Sequence, residues 1–214
     1  MGVTLKLATS LDGRIATSSG ESRWITGEPA RHAVHRLRSQ HDAVLIGIET
    51  ALADDPELTV RLDGYDGPQP TRVVLDSRQR LSPDSCLART AREVPTIVVS
   101  TEPGRPALVS AGVEVLEVED VGDGRPDLKA VAAALAGRGL ARLFVEGGGQ
   151  VAASFLRCGL VERLEWFRAP IILGGEGRPG VGALAVHALV DVQRFSRVSA
   201  EALGEDLWER YEKL

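Results

Sequence analysis

Short aliphatic runs alternate along this chain with helix-forming stretches, and that alternation limits the fold more than any other feature. Val3 to Ala8 (VTLKLA) sets apolar Val3, Leu5 and Leu7 against Thr4 and Lys6, the two-residue period of a strand. Ala43 to Ile46 (AVLI), Arg72 to Leu75 (RVVL), Thr96 to Val99 (TIVV) and Arg142 to Val145 (RLFV) are short apolar runs of the kind buried in parallel sheets. Residues 112–118 (GVEVLEV) alternate again. Between these runs, Thr26-Gly27-Glu28-Pro29 predicts a helix start with Thr26 as N-cap, and Ala30, Ala33, Val34 and Leu37 form its apolar stripe. Asp127 to Ala136 predicts a helix closed by Gly137 and Gly139. Val151, Phe155 and Cys158 predict another, with Gly159 as its C-cap. Residues 161–172, 192–202 and 206–211 read as strands with no room for helical crossovers, so they should pair antiparallel. The expected fold is therefore α/β. Residues 1–214 form one domain with a mostly parallel central sheet, helices on both faces and an antiparallel C-terminal edge.

Composition excludes several classes. The 214 residues are 43% hydrophobic, enough for a core, and 25 basic against 30 acidic residues leave a net charge of −5. That balance argues against a nucleic-acid or anionic-membrane surface, although a local basic pocket stays open. Cys86 and Cys158 lie far apart, and no C-x-x-C or Cys/His cluster exists. His32, His35, His41 and His187 lack metal-ligand spacing, so no metal is expected. No signal peptide and no long apolar span is recognisable, so a cytoplasmic setting with no membrane partner is expected.

In an open α/β sheet, ligands gather beyond the carboxyl ends of the strands. Gly147-Gly148-Gly149 follows one strand and precedes a helix. Its backbone N–H groups could approach an anion, with the helix N-terminus adding favourable charge. The run matches neither a Walker loop nor G-x-G-x-x-G, and a tight turn without ligand reads equally well. Asp76-Ser77-Arg78 ends another strand. Its hydroxyl and guanidinium could hold a phosphate such as the 2′-phosphate of an NADP-type cofactor, but a plain surface turn is the more ordinary reading. Arg31, His35 and Arg38 share one helix face and could offer cations to an anionic substrate, or simply be solvated. Lys6 sits inside a strand, where a lysine needs a partner; a nearby carboxylate would complete a proton-handling pair.

Seven stretches, in order, carry a resemblance: LKLATSLDGR (5–14), GESRWIT (20–26), HRLRSQHDAVLIG (35–47), TALADDPELTVR (50–61), VVLDSRQRL (73–81), LFVEGGGQVAASFL (143–156) and APIILGG (169–175). Together the chain resembles the reductase domain of the bifunctional riboflavin-biosynthesis deaminase/reductase, a dihydrofolate-reductase-like fold. The resemblance implies NADPH-dependent reduction of 5-amino-6-(5-phosphoribosylamino)uracil to its ribitylamino product. It implies cofactor contacts from Ala8, Trp24, Thr50, Asp54, Ser77 and the stretch Gly148, Gly149, Gln150, Val151, Ala152, Ala153 and Ser154, beside the Gly147 and Arg78 read above. Substrate contacts fall to Ser22, Arg38, Leu58, Arg61 and Glu146, with Arg38 and Arg61 on the phosphate. Lys6, Asp54 and Glu146 become the catalytic set. Pro56 would stiffen the turn between Asp54 and Arg61, leaving Asp55 and Glu57 as solvent-facing acids. Relatives imply a homodimer. The H-x-E…P-C-x-x-C signature of the zinc deaminase partner is absent, so only reductase chemistry is expected. Another pyrimidine or pteridine reductase of this fold, dihydrofolate reductase included, and a non-catalytic nucleotide-binding regulator are the alternatives.

Overall fold

A computed structural model describes residues 1–122 and 124–214. In chain order its elements are strands β1 (Gly2–Thr9) and β2 (Arg14–Ala16), helix α1 (Glu28–Arg38), β3 (Ala43–Gly47), α2 (Ile48–Asp54), β4 (Thr71–Leu75), α3 (Cys86–Arg89), β5 (Thr96–Ser100) and α4 (Pro106–Ala111). There follow β6 (Glu114–Glu117), α5 (Leu128–Gly137), β7 (Arg142–Gly147), α6 (Gly149–Arg157), β8 (Arg163–Arg168), β9 (Arg178–Pro179), a short 3₁₀ turn (Leu189–Asp191), β10 (Phe195–Leu203) and β11 (Asp206–Lys213). The fold is α/β, with a mostly parallel sheet and antiparallel strands at the edge. The chain divides into two compact units, one of Met1 with His35–Phe144, the other of Gly2–Val34 with Val145–Leu214.

In the first unit β3, β4, β5 and β6 lie side by side and all run parallel, Leu45 opposite Val73, Val73 opposite Ile97 and Val98 opposite Val115. Every residue of β3 and of β5 is buried. That is why these strands read as unbroken apolar runs: a parallel strand covered on both faces has no polar side to show. One charge interrupts this core. Arg72, on β4, is 1% exposed, and its guanidinium donates to the carbonyls of Leu87 and Val94, the Thr90 hydroxyl and the Glu57 carbonyl at 2.8–3.3 Å. Helix α5 begins one residue later than expected, at Leu128, with Asp127 as its N-cap accepting from the Lys129 N–H, and Gly139 follows it at φ +83°. The four-residue α3 and six-residue α4 were not legible, being too short to show a period.

In the second unit β1 pairs parallel with β8, β8 antiparallel with β11, and β11 antiparallel with β10. The antiparallel edge is as expected from β8 onward. The expectation that 161–172 pairs only antiparallel needs correction, because β8 also runs parallel to β1. Helix α6, just before β8, is long enough to return the chain for that parallel entry. It closes with a Schellman turn: Gly159 at φ +68° donates to the Leu156 carbonyl and Leu160 to that of Phe155. The expected N-cap of α1 is displaced by one residue. The helix starts at Glu28, so Gly27 precedes it, its carbonyl accepting from the Arg31 N–H at 3.2 Å. The Gly27 N–H donates instead to Asp206 Oδ2 at 2.7 Å, a carboxylate from the far end of the chain.

Candidate functional site

Lys6 does find its carboxylate. Its Nζ lies 3.6 Å from Glu146 Oε2, with side chains 15% and 7% exposed. Strand alternation puts Thr4, Lys6 and Ala8 on one face of β1 while Val3, Leu5 and Leu7 enter the core on the other. Glu146 comes from β7, one residue before the glycine run. With water largely excluded, removing one partner of this pair would leave the other a poorly solvated charge.

The glycine run has its own geometry. Gly147 has φ +114°, a conformation closed to side chains, and a Cβ there would meet nothing within 4 Å. The peptide joining Gly147 to Gly148 is cis. Gly148 is the N-cap of α6, and no side chain caps that helix. Gly149 is glycine for a packing reason: a Cβ would sit 2.4 Å from the Pro179 carbonyl oxygen. The Gly182 N–H donates to the Gly149 carbonyl at 2.8 Å, so residues 179–182 lie against this helix start. Of the rest of the stretch, Ala152 and Ala153 are buried, Gln150 is exposed, and Val151 and Ser154 are half-buried, Ser154 accepting from Arg157. In the same unit Trp24 is 69% exposed, with the Arg31 guanidinium 4.5 Å from its ring centre. Arg31 also donates to the Thr26 carbonyl. It is thus engaged with Trp24, and Ser22 lies half-buried nearby in the chain. The turn after β1 is pinned by Asp12, which accepts from the Ser10 hydroxyl and the N–H groups of Leu173 and Gly174. Those bonds, the Ser10 hydroxyl foremost, hold its carboxyl down at about 2. They tie the APIILGG stretch to β1, a role no local signal revealed.

In the other unit, residues 35–38 at the end of α1 and the 59–61 segment are joined. Arg38 Nη1 donates to the Thr59 carbonyl at 2.9 Å, and the Arg61 N–H donates to His35 Nδ1 at 3.1 Å. Thr50 and Asp54 lie on α2, Asp54 as its last residue. Asp55 ends α2 in the left-handed region and its Oδ1 accepts from the Cys86 N–H, so it braces the start of α3. Leu58 is 3% exposed at φ +56°, a rare conformation for a bulky side chain. Glu57 is not a bystander: its Oε2 is 2.6 Å from Arg61 Nη1, and the hydrogen bond from Arg61 is the main reason its carboxyl lies below the usual glutamate value. The pair follows i, i+4 spacing, a signal the sequence carries. At the end of β4, Ser77 is half-buried and Arg78 exposed, on a turn whose next residue, Gln79, is buried. The importance of Gln79 had no sequence signal.

Within the second unit, then, Lys6, Ala8, Glu146 and the glycine run belong to adjoining elements, with Ser22 and Trp24 in the segment before α1. Within the first, Arg38, Leu58 and Arg61 converge on the 57–61 segment. Among the described residues no group of three or more His, Cys, Asp or Glu side chains could hold a metal ion. None of the helices there is long and apolar enough to cross a membrane.

A profile of the RibD C-terminal domain family matches residues 2–208. The chain is 39% identical over 211 residues to the 2,5-diamino-6-ribosylamino-4(3H)-pyrimidinone 5′-phosphate reductase of Methanothermobacter thermautotrophicus, covering 98% of this chain and 96% of that one. It is 35% identical to the riboflavin biosynthesis protein RibD of Actinobacillus pleuropneumoniae, covering 96% of this chain and 55% of that protein. Among solved structures, Acinetobacter baumannii RibD superposes with a TM-score of 0.87 at 32% identity, over 100% of this chain and 58% of the other. The chain thus spans little more than half the length of the RibD proteins it matches. The ordered motifs and the folded arrangement of strands agree with these matches along nearly the whole sequence, and the chain belongs to the RibD C-terminal domain family.

Proposed function

We propose that residues 1–214 act as one cytoplasmic reductase domain of riboflavin biosynthesis, reducing a ribosylaminopyrimidine 5′-phosphate with NADPH. The observation that carries this reading is the shielded Lys6–Glu146 pair, a lysine beside a carboxylate whose chemistry supports a proton-handling role. It agrees with the name of the archaeal reductase matched end to end.

The residues present fit the cofactor by their chemistry. Open space beside Gly147 and an α6 start without a side-chain cap suit an anion, and exposed Arg78 with Ser77 suits a 2′-phosphate. NADPH, when bound, supplies the hydride. Opening of the ribosyl ring breaks the C1′–O4′ bond, and O4′ must gain a proton. Lys6 Nζ donates it or polarises that oxygen, while Glu146 orients the lysine. The Asp54 carboxylate stabilises positive charge developing at the C1′ imine, an effect often worth several kcal/mol. Arg38 and Arg61 hold the 5′-phosphate, Ser22 adds a hydroxyl and Leu58 packs against the substrate. Ala8, Trp24, Thr50 and the 147–154 stretch line the cofactor. Strand β10 ends the sheet, and Val198 on it is 59% exposed, which supports a homodimer through that edge.

A second reading concerns the pyrimidine. The archaeal relative's name keeps an amino group at C2, so the diaminopyrimidinone is an equal candidate beside 5-amino-6-(5-phosphoribosylamino)uracil. NADPH oxidation by the purified chain, with each compound and with dihydrofolate, tests both. Turnover of either ribosylamino compound with formation of a ribitylamino product supports the proposal and names the substrate. Turnover of dihydrofolate alone, or none, overturns it.

A further inference from the structure

We infer that Gln79 sets the preference for NADPH over NADH by fixing the Ser77-Arg78 turn, an inference that rests on the reading of that turn as the 2′-phosphate contact. Gln79 is only 3% exposed and sits at φ +49°, a conformation non-glycine residues seldom adopt. Its amide is used on both sides. Nε2 lies 2.6 Å from the Pro103 carbonyl, 3.1 Å from that of Glu102 and 3.2 Å from the Ser100 hydroxyl. Oε1 accepts from the Arg105 N–H at 2.5 Å. Carboxylate or hydrocarbon in its place could not both donate and accept.

This buried amide ties residues 100–105 to the turn. Ser100, fully buried, donates its hydroxyl to the Ser77 carbonyl at 3.1 Å, and Thr101 donates to the same carbonyl through Oγ1 and N–H. The far side of the turn is held by the Gln79 N–H on the Asp76 carbonyl and by the Leu81 N–H on Asp76 Oδ2. The backbone of 76–81 is thus fixed from below while Arg78 points its long side chain from an exposed position. A flexible arginine gains affinity for a phosphate only when its backbone is preorganised, since ordering it on binding would cost much of the contact energy. Gln79 is therefore a positioning residue whose effect reaches only a cofactor that carries the 2′-phosphate.

The test compares steady-state constants for NADPH and NADH in wild type, Gln79→Gly and Ser100→Ala. Glycine accepts the positive φ and deletes the amide with its two methylenes; alanine at 100 cuts the link between that amide and Ser77, together with the bond from the Glu102 N–H, with little change of shape. Circular dichroism and thermal unfolding report folding. For Gln79→Gly we expect KM for NADPH to rise about tenfold, as for loss of one charged hydrogen bond, with kcat at saturation and kcat/KM for NADH little changed. Ser100→Ala should shift in the same direction, and it decides the matter if Gln79→Gly does not fold. A folded variant with the wild-type NADPH to NADH ratio, or one weakened equally toward both cofactors, overturns the inference and leaves the reading of Ser77 and Arg78 standing. Wild type with no preference overturns that reading, and the inference with it.

Discussion

A lysine inside a strand has little access to water, so its charge needs a fixed counter-charge, and Glu146 provides one at 3.6 Å. Lys6→Met should lower kcat by about 10²–10⁴-fold, the usual contribution of positioned acid–base help, with KM for NADPH little changed. Single-turnover hydride transfer near the wild-type rate would leave Lys6 a structural residue. Glu146→Gln leaves the ammonium with a neutral partner and should cost about 1–3 kcal/mol in urea denaturation besides slowing turnover. Arg61 is tied to Glu57 in a pair whose members are both 55% exposed. Such pairs are worth about 0.2–1 kcal/mol, so a substrate phosphate can displace Glu57. Arg61→Ala should therefore raise KM for substrate while cofactor constants hold. Glu57→Gln should lower that KM by up to about fivefold, the same energy read in the other direction. A raised KM in Glu57→Gln would mean that the pair is a preformed part of the site rather than a competitor of the phosphate. At this scale residue type was legible: a strand lysine, acids beside a proline, arginines on a helix. Partner choice was not, because Lys6 and Glu146 lie on strands far apart in the sequence, β1 and β7.

Elements were legible where their signals are local. The α5 helix shows to within a residue at its start, Gly159 closes α6, and β3 and β5 show as apolar runs because both their faces are covered. They failed where the signal comes from elsewhere. Gly27 precedes α1 with its N–H on Asp206, and β2 with β9 forms a small antiparallel pair from strands of three and two residues. The glycine run shows both cases. Gly147 answers to its own φ, whereas Gly149 answers to the Pro179 carbonyl. Gly149→Ala must push residues 179–182 aside and lose the Gly182 bond, so a destabilisation of about 1–3 kcal/mol is expected, as for overpacking. Urea denaturation measures it. An alanine variant as stable as wild type would show that the 179–182 segment gives way freely.

Across the molecule, stability against pH should follow two opposed sets of carboxyls. Asp42 and Glu57 are held below their ordinary values, each chiefly by a hydrogen bond from an arginine, Arg142 and Arg61. Their contribution is present above the unfolded values and is lost as pH falls through the folded ones. Glu165, 7% exposed, is pushed above the ordinary 4.5 by burial, although the Trp208 indole N–H donates to it. Its contribution is complete below 4.5 and is lost as pH rises through the folded value, so at neutral pH it destabilises. Glu165→Gln keeps an acceptor for Trp208 and should raise Tm at neutral pH while leaving it unchanged in acid. Melting curves across pH check this, and a lower Tm at neutral pH would show that the charge is used by the fold. The α/β alternation, the apolar strands, the glycine close of α6 and the ordered motifs of the RibD C-terminal domain family were legible in the residues alone. Each depends on periodicity or on neighbours a few residues away. Folding in three dimensions settled that Lys6 pairs with Glu146, that Asp206 serves the start of α1, that Gly149 yields to Pro179 and that Gln79 holds the 76–81 turn. Those contacts form when distant segments are brought within a few ångströms, and no local pattern records which segments will meet.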